Sequence, residues 1–335
     1  VISNVFDNTP KPSSLNSESV SARVPALDSV SVPAERPICT DAEIMKAAIK
    51  SGDVDYAFEI ARARYQELHA LHPQRPEKIV RQADLLRMMS ATGRWIESGL
   101  NVIRDAETML AVPNYELNAY SRYLMASLME FRLSGRDHKR SGDFSAEALF
   151  KRLQAVQNAD SLVEPFFQYR QATLLKAACV LRQSRSLPVE ETAETVRFAL
   201  DSYQRIAPRN AFTLASLYHY IGGNFESAER YASLAKRCPE QMPSDPFAAA
   251  ELEARSVYHQ DPERAEVLFL ELLSKSQKQL APWDGESRTR IFLAGCYQQR
   301  GSFRVVDSLL DDVQQPPSGE AGFLLEKLKD SAVSW

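Results

Sequence analysis

Five histidines, four cysteines and several closely spaced carboxylates are the residues of this chain able to do acid–base, metal or nucleophilic chemistry. Their spacing does not suit that work. His69 and His72 close a helical pattern, His138 lies in a polar insertion, and His219 and His259 each follow a tyrosine, with no ligand partner at a metal-binding interval. Structural or solvated roles are expected for all of them. Cys39, Cys179, Cys238 and Cys296 form no C-x-x-C pair and are too scattered for a disulfide framework, so they read as reduced, packed thiols. Glu190-Glu191, Asp311-Asp312 and the Glu251/Glu253 pair stand at helix starts or on polar faces, where helix dipoles and hydration place acids anyway. The glycine-rich phosphate loops, the H-E-x-x-H zinc motif and the G-x-S-x-G nucleophile elbow are all missing from the sequence. The expectation is a non-enzymatic protein with no catalytic residue, no cofactor and no metal.

The charge balance limits the partners. A net charge of −4 argues against a chain whose main task is to neutralise phosphates. One local exception is "RLSGRDHKRSGD", where Arg132, Arg136, Lys139 and Arg140 outnumber Asp137 and Asp143. It reads as an exposed basic loop suited to an acidic surface. No stretch has the roughly 18 to 20 uninterrupted apolar residues that cross a bilayer. The cysteine usage and the lack of an N-x-S/T acceptor lean toward an intracellular compartment.

The elements that would carry these residues are helices. Only 12 glycines occur in 335 residues, while Ala, Leu, Glu, Arg and Gln recur in long runs. Residues 1–38 differ, with many serines and frequent prolines, and read as a flexible tail. Beyond it a helix–turn–helix grammar repeats. In "SGDVDYAFEIARARYQELHALHP" the turn Gly52-Asp53-Val54 is followed by Ala57 and Ala61, with Ile44, Met45 and Ala48 facing inward from a preceding helix. Gly93, Trp95 and Ser98 take the corresponding places in the next unit.

The grammar is fullest toward the C-terminus. "IFLAGCYQQRGSFRVVDSLLDDVQQP" sets Leu293, Ala294, Tyr297, Gly301, Phe303, Val306, Leu310 and Val313 in order, and "LASLYHYIGGNFESAERYASLAKRCP" gives Ala215, Tyr218, Gly223, Phe225, Ala228, Ala232, Ala235 and Pro239. Between them, Ala254, Tyr258, Pro262, Ala265, Phe269 and Leu272 form a copy without the turn glycine. Two less regular pairs occupy the middle, one from about Tyr115 to Asn158 and one broken at Leu187-Pro188, with Pro188 read as a first helical residue. Turns are expected near residues 53, 94, 142, 187, 224, 261 and 302.

These segments resemble tetratricopeptide repeats, in which large and small residues pack the first helix and a glycine turn precedes an aromatic, an alanine and a second apolar stripe. The resemblance implies an all-α, right-handed superhelical solenoid of about seven antiparallel helix pairs over residues 39–335. "EAGFLLEKLKDSAVSW", with Leu324, Leu325 and Leu328 on one face, would be its capping helix, over about 319–332.

In solenoids of this kind first helices line the concave face. That projection makes Lys46, Lys50, Arg87, Asn210, Thr213, Tyr220, Arg288, Gln298 and Gln299 the candidate partner-binding residues. Ala42, Ala83, Thr213 and Ile291 occupy the position of the lysine by which some members clamp acidic chaperone tails, so that role is not expected. The leading expectation is a scaffold or adaptor that holds other proteins as a subunit or assembly factor of a larger complex. The alternative is an RNA-binding repeat protein resembling the pentatricopeptide type, disfavoured by the acidic charge and the irregular units.

Overall fold

The computed structural model describes residues 44, 45, 47, 48, 53–67, 75–92, 99–113, 117–134, 142–157, 164, 166–239, 247–278, 283, 285–313 and 319–333. Among them the regular structure is helical and no strand occurs. The tail, the turn at 94, and Gly52, Gly93, Trp95 and Ser98 lie outside the described residues. The chain divides into two compact units, with the boundary between Phe131 and Arg132.

The first unit contains α1 (Val54–Glu67), α2 (Pro76–Thr92), α3 (Gly99–Leu110) and most of α4 (Ala119–Leu133). Asp53 caps α1, its carboxylate accepting from the Tyr56 N–H at 3.0 Å. Val54, Ala57, Phe58, Ala61 and Tyr65 then recur at helical intervals on the buried face of α1, which packs on α2. Ile79, Val80, Ala83, Leu86 and Met89 bury the core side of α2. Polar bonds fix the neighbours: Gln82 Nε2 donates to the Val102 carbonyl at 2.6 Å, and Tyr65 donates to Asp105 at 3.3 Å. Met45 and Ala48 are buried as the apolar pattern requires, whereas Ile44 is exposed.

The second unit contains α5 (Ala146–Ala155), α6 (Phe167–Gln183), α7 (Val189–Tyr203), α8 (Pro208–Ile221), α9 (Phe225–Arg237), α10 (Ala248–Tyr258), α11 (Pro262–Ser276), α12 (Glu286–Gln299), α13 (Phe303–Asp311) and α14 (Glu320–Val333). Its packing alternates. The helices α6, α8, α10 and α12 form a row in which each touches the next. The intervening α7, α9 and α11 each pack on both the helix before and the helix after, and α13 packs on α12. Close approach depends on small residues: Ala228, Ala232 and Ala235 of α9 are fully buried, and Ser216 of α8 donates to the Ala228 carbonyl at 2.7 Å. Phe269 and Phe292 stack with centroids 5.9 Å apart in a core shared by Ala254, Val257, Ala265, Leu293 and Val306. Burying one such ring contributes about 2–3 kcal/mol.

The turns explain the grammar. Gly223 and Gly301 have φ of +73° and +74°, the left-handed conformation that lets a helix end in a paired bond. Asn224 N–H reaches the His219 carbonyl while Gly223 N–H reaches that of Tyr220, and Ser302 and Gly301 repeat this with Tyr297 and Gln298. At the α6–α7 turn the same pair of bonds forms from Ser186 and Arg185, with Arg185 at φ +55° in the glycine place. Where the α10–α11 turn lacks a glycine, Asp261 caps α11 by accepting from Arg264 N–H at 3.1 Å. Pro188 is the N-cap of α7 with extended ψ of 149°, one residue earlier in role than its sequence position suggests.

Candidate functional site

The candidate residues differ in burial and in bonding. Lys46, Lys50, Arg136, Lys139 and Arg140 lie outside the described residues. Arg132 belongs to the last turn of α4 and is 1% exposed, which corrects its assignment to an exposed basic loop. The helix runs to Leu133, so Arg132 belongs to a packed helical turn and not to the loop that follows. Arg87 of α2 donates to the Tyr123 hydroxyl at 3.0 Å, and that hydroxyl donates to the buried carboxylate of Asp84.

In the second unit Thr213 and Tyr220 are both buried, which corrects the expectation of two open groove contacts. Thr213 turns its hydroxyl back to the Arg209 carbonyl at 2.8 Å, the local bond a hydroxyl makes when its helix face is covered. Asn210 is partly buried beside the Tyr203 side chain of α7. Gln298 is partly buried, and exposed Gln299 donates to Tyr258 at 3.3 Å.

Tyr220 and Arg288 are brought into one network. Arg288 of α12 holds Glu251 of α10 with two bonds, Nε at 2.8 Å and Nη2 at 3.0 Å. Arg255, one turn on from Glu251, lies 3.7 Å from the same carboxylate and donates to Glu320 at 3.1 Å. The Arg255 guanidinium also lies over the Tyr220 ring at 4.5 Å and faces the Phe292 ring at 5.3 Å.

Glu320, the first residue of α14, is where the network converges. One carboxylate oxygen accepts from the Tyr220 hydroxyl at 2.5 Å and from Arg255, and the other lies 2.9 Å from His259 Nε2. An ionised carboxylate can only accept, so His259 carries its proton on Nε2, which also lies 3.1 Å from the Tyr220 oxygen. Phe225 stacks flat on the His259 ring, 4.0 Å away with the planes 9° apart. The aromatic after the α8–α9 turn thus orients a histidine at the end of α10.

The electrostatics follow from this geometry. Burial alone would raise the Glu320 pKa, but the His259 bond, the Arg255 charge and the bonds from Tyr220 and Arg255 outweigh it and hold the pKa at about 2. Burial pushes the Tyr220 hydroxyl well above the ordinary tyrosine range, against the pull of Arg255, so it acts as a donor and not as a base. For Arg255 burial works against the charge, yet Tyr220, Glu251 and Glu320 more than compensate and raise its pKa. The arrangement has fixed donors converging on one anion. Its chemistry is carboxylate recognition.

Sequence reasoning missed Glu251, Arg255, His259 and Glu320 as members of a site. The available signal was an acid and an arginine at i, i+4 inside "AAAELEARS", a stretch otherwise apolar enough to be buried on several sides. The other acid of that segment, Glu253, bonds Ser233 at 2.6 Å and Lys236, tying α9 to α10. His219 sits apart, stacked on Tyr231 at 5.3 Å, with its pKa lowered by burial and by Arg182. Among the described residues no group of three His, Cys, Asp or Glu could hold a metal ion, and no helix is long and apolar enough to cross a membrane. Compared with protein-family models and with curated proteins, the chain matches none.

Proposed function

We propose that this chain is a non-enzymatic scaffold or adaptor whose second unit is a right-handed solenoid of tetratricopeptide-like helix pairs, presenting a row of first helices to partner proteins. The observation that carries the reading is the alternation of contacts: α6, α8, α10 and α12 touch in sequence, with a second helix packed between successive members. A row of first helices that touch in sequence offers a continuous face, which suits an extended or helical protein segment better than a small substrate. The shared geometry of the turns at Gly223 and Gly301 supports the resemblance on which the repeat type rests.

The charge pattern favours proteins over nucleic acid as partners. Several arginines of this unit are held by carboxylates: Arg288 by Glu251, Arg290 by Glu286 and Asp312, Arg264 by Glu229, and Arg300 by Glu266. Such cations contribute little to counterion release from a phosphate backbone. The test is affinity purification of the full chain from its native source, read by mass spectrometry, beside a variant with Gln298 and Gln299 changed to glutamate. Stable protein partners, weakened by the variant, are expected. Recovery of no protein partner overturns the reading.

A further inference from the structure

Helix α14 breaks the packing rule that every earlier pair obeys. In the second unit each second helix packs on the first helix that follows it: α7 on α8, α9 on α10, α11 on α12. By that rule α14 would lie against α13. Among the described residues it packs mainly on α12, and its first residue bonds Tyr220 near the end of α8 and Arg255 and His259 at the end of α10. A helix simply extending the row beyond α12 could not touch α8, because each step along a row of packed helices is roughly 8–10 Å. So α14 reaches back over the row.

We propose that Tyr220, Arg255 and His259 form a carboxylate receptor, filled in this chain by Glu320 of α14, and that its partner in trans is an amphipathic helix with a carboxylate in its first turn. The proposal rests on reading the row as a partner-holding face and names what that face holds. Three donors from two helices meet both oxygens of one carboxylate, with Phe225 fixing the imidazole plane and Glu251 with Arg288 backing Arg255 from α12. Behind the carboxylate, Ala321, Leu325 and Leu328 bury one face of α14 in the core containing Ile291, Leu293 and Ala294, while Phe323 and Lys327 remain on the outer side. The helix is therefore seated as a ligand would be: an acid at its head, where the helix dipole favours negative charge, and an apolar stripe at the following turns. A partner helix of the same pattern fits the same donors and the same apolar contacts. The covalent link gives α14 a high effective concentration, so it acts as a built-in competitor that a partner must displace.

The test is a fluorescent peptide with the sequence of residues 318–335 titrated into the full-length chain and its Glu320→Ala variant, read by polarisation. Removing the internal carboxylate is expected to raise affinity for the peptide about tenfold or more, a gain lost when the peptide carries Gln at its own Glu position. Adding Tyr220→Phe to the Glu320→Ala chain should weaken the peptide again. Equal affinity of the wild-type and Glu320→Ala chains, or equal affinity of the Glu and Gln peptides, overturns the proposal. If Glu320→Ala lowers the folded fraction, hydrogen exchange of α14 in the wild-type chain decides: excess peptide should accelerate it, and unchanged exchange overturns the receptor. Release of α14 into a second copy, seen as concentration-dependent dimers that ignore the peptide, also overturns it. Native partners recovered equally by wild-type and Tyr220→Phe chains would leave the adaptor reading intact while removing this one.

Discussion

Glu320 and Tyr220 stand 100 residues apart in the chain and 2.5 Å apart in space, the hydroxyl of one donating to the carboxylate of the other. The bond ties the beginning of α14 to the end of α8, and Arg255 and His259 secure it from α10. Holding the Glu320 pKa at about 2, against an ordinary value of 4.5, couples this contact to pH. The folded-state pKa is depressed, so the unfolded chain binds the proton first as pH falls. The stabilisation is fully present above about pH 4.5 and is lost progressively as pH falls toward 2. The stability difference between wild type and Glu320→Gln, measured by urea unfolding, should be constant near neutrality and shrink across that window. A difference that grows on acidification would contradict the assigned contact.

Arg185 adopts φ of +55° at a turn whose counterparts are Gly223 and Gly301. A side chain in this left-handed conformation costs on the order of 1 kcal/mol relative to glycine. Arg185→Gly should therefore stabilise the second unit by about that amount, less the extra entropy glycine gives the unfolded chain. Thermal melts of the two chains measure it. The same substitution in a helix interior would destabilise, so the sign tests the turn assignment.

The legible features are local ones. Gly223 and Gly301 announce their turns because glycine alone takes a positive φ without strain, and an aromatic follows each two residues on. The alanines of α9 read as a packed face for the same reason, since their spacing is set within one helix. Arg185 was illegible as a turn residue because nothing in its chemistry advertises a left-handed backbone. Glu251 stands in the first turn of α10, where exposed acids are common, and only the arrival of Arg288 from α12 makes it a buried anion. Tyr220 looked like an open groove residue because its helix face was projected without α14 on top of it. The site depends on meetings between distant segments, and a single sequence encodes those only through the fold.

Cys179 and Cys296 are buried among apolar side chains, and burial pushes both thiols up to about 12. Almost no thiolate is then available near pH 8, whereas Cys238 at the end of α9 is only partly buried. Alkylation of the folded chain with iodoacetamide at that pH should modify Cys238 well before Cys179 or Cys296, with the sites assigned by peptide mass spectrometry. In denaturant the three should react at similar rates. Early labelling of Cys179 in the native chain would mean that α6 and α8 are not packed as described.

The Arg288–Glu251 pair gives the strongest prediction about the row itself. Glu251 is 3% exposed and is held by two bonds from α12 while facing Arg255 on its own helix. Replacing it with alanine leaves two guanidinium groups without this shared anion in a largely buried place, which costs about 3–5 kcal/mol. Glu251→Gln keeps the shape and an acceptor oxygen but removes the charge, so it should cost less. The contribution of the contact itself comes from a double-mutant cycle. Arg288→Met and Glu251→Leu made together should be less destabilising than the sum of the single changes, because neither charge is then left behind. Denaturant unfolding of the four chains supplies the cycle. A coupling near zero would show that α10 and α12 are joined by their apolar contacts alone, and the charged network would then have no part in aligning the row.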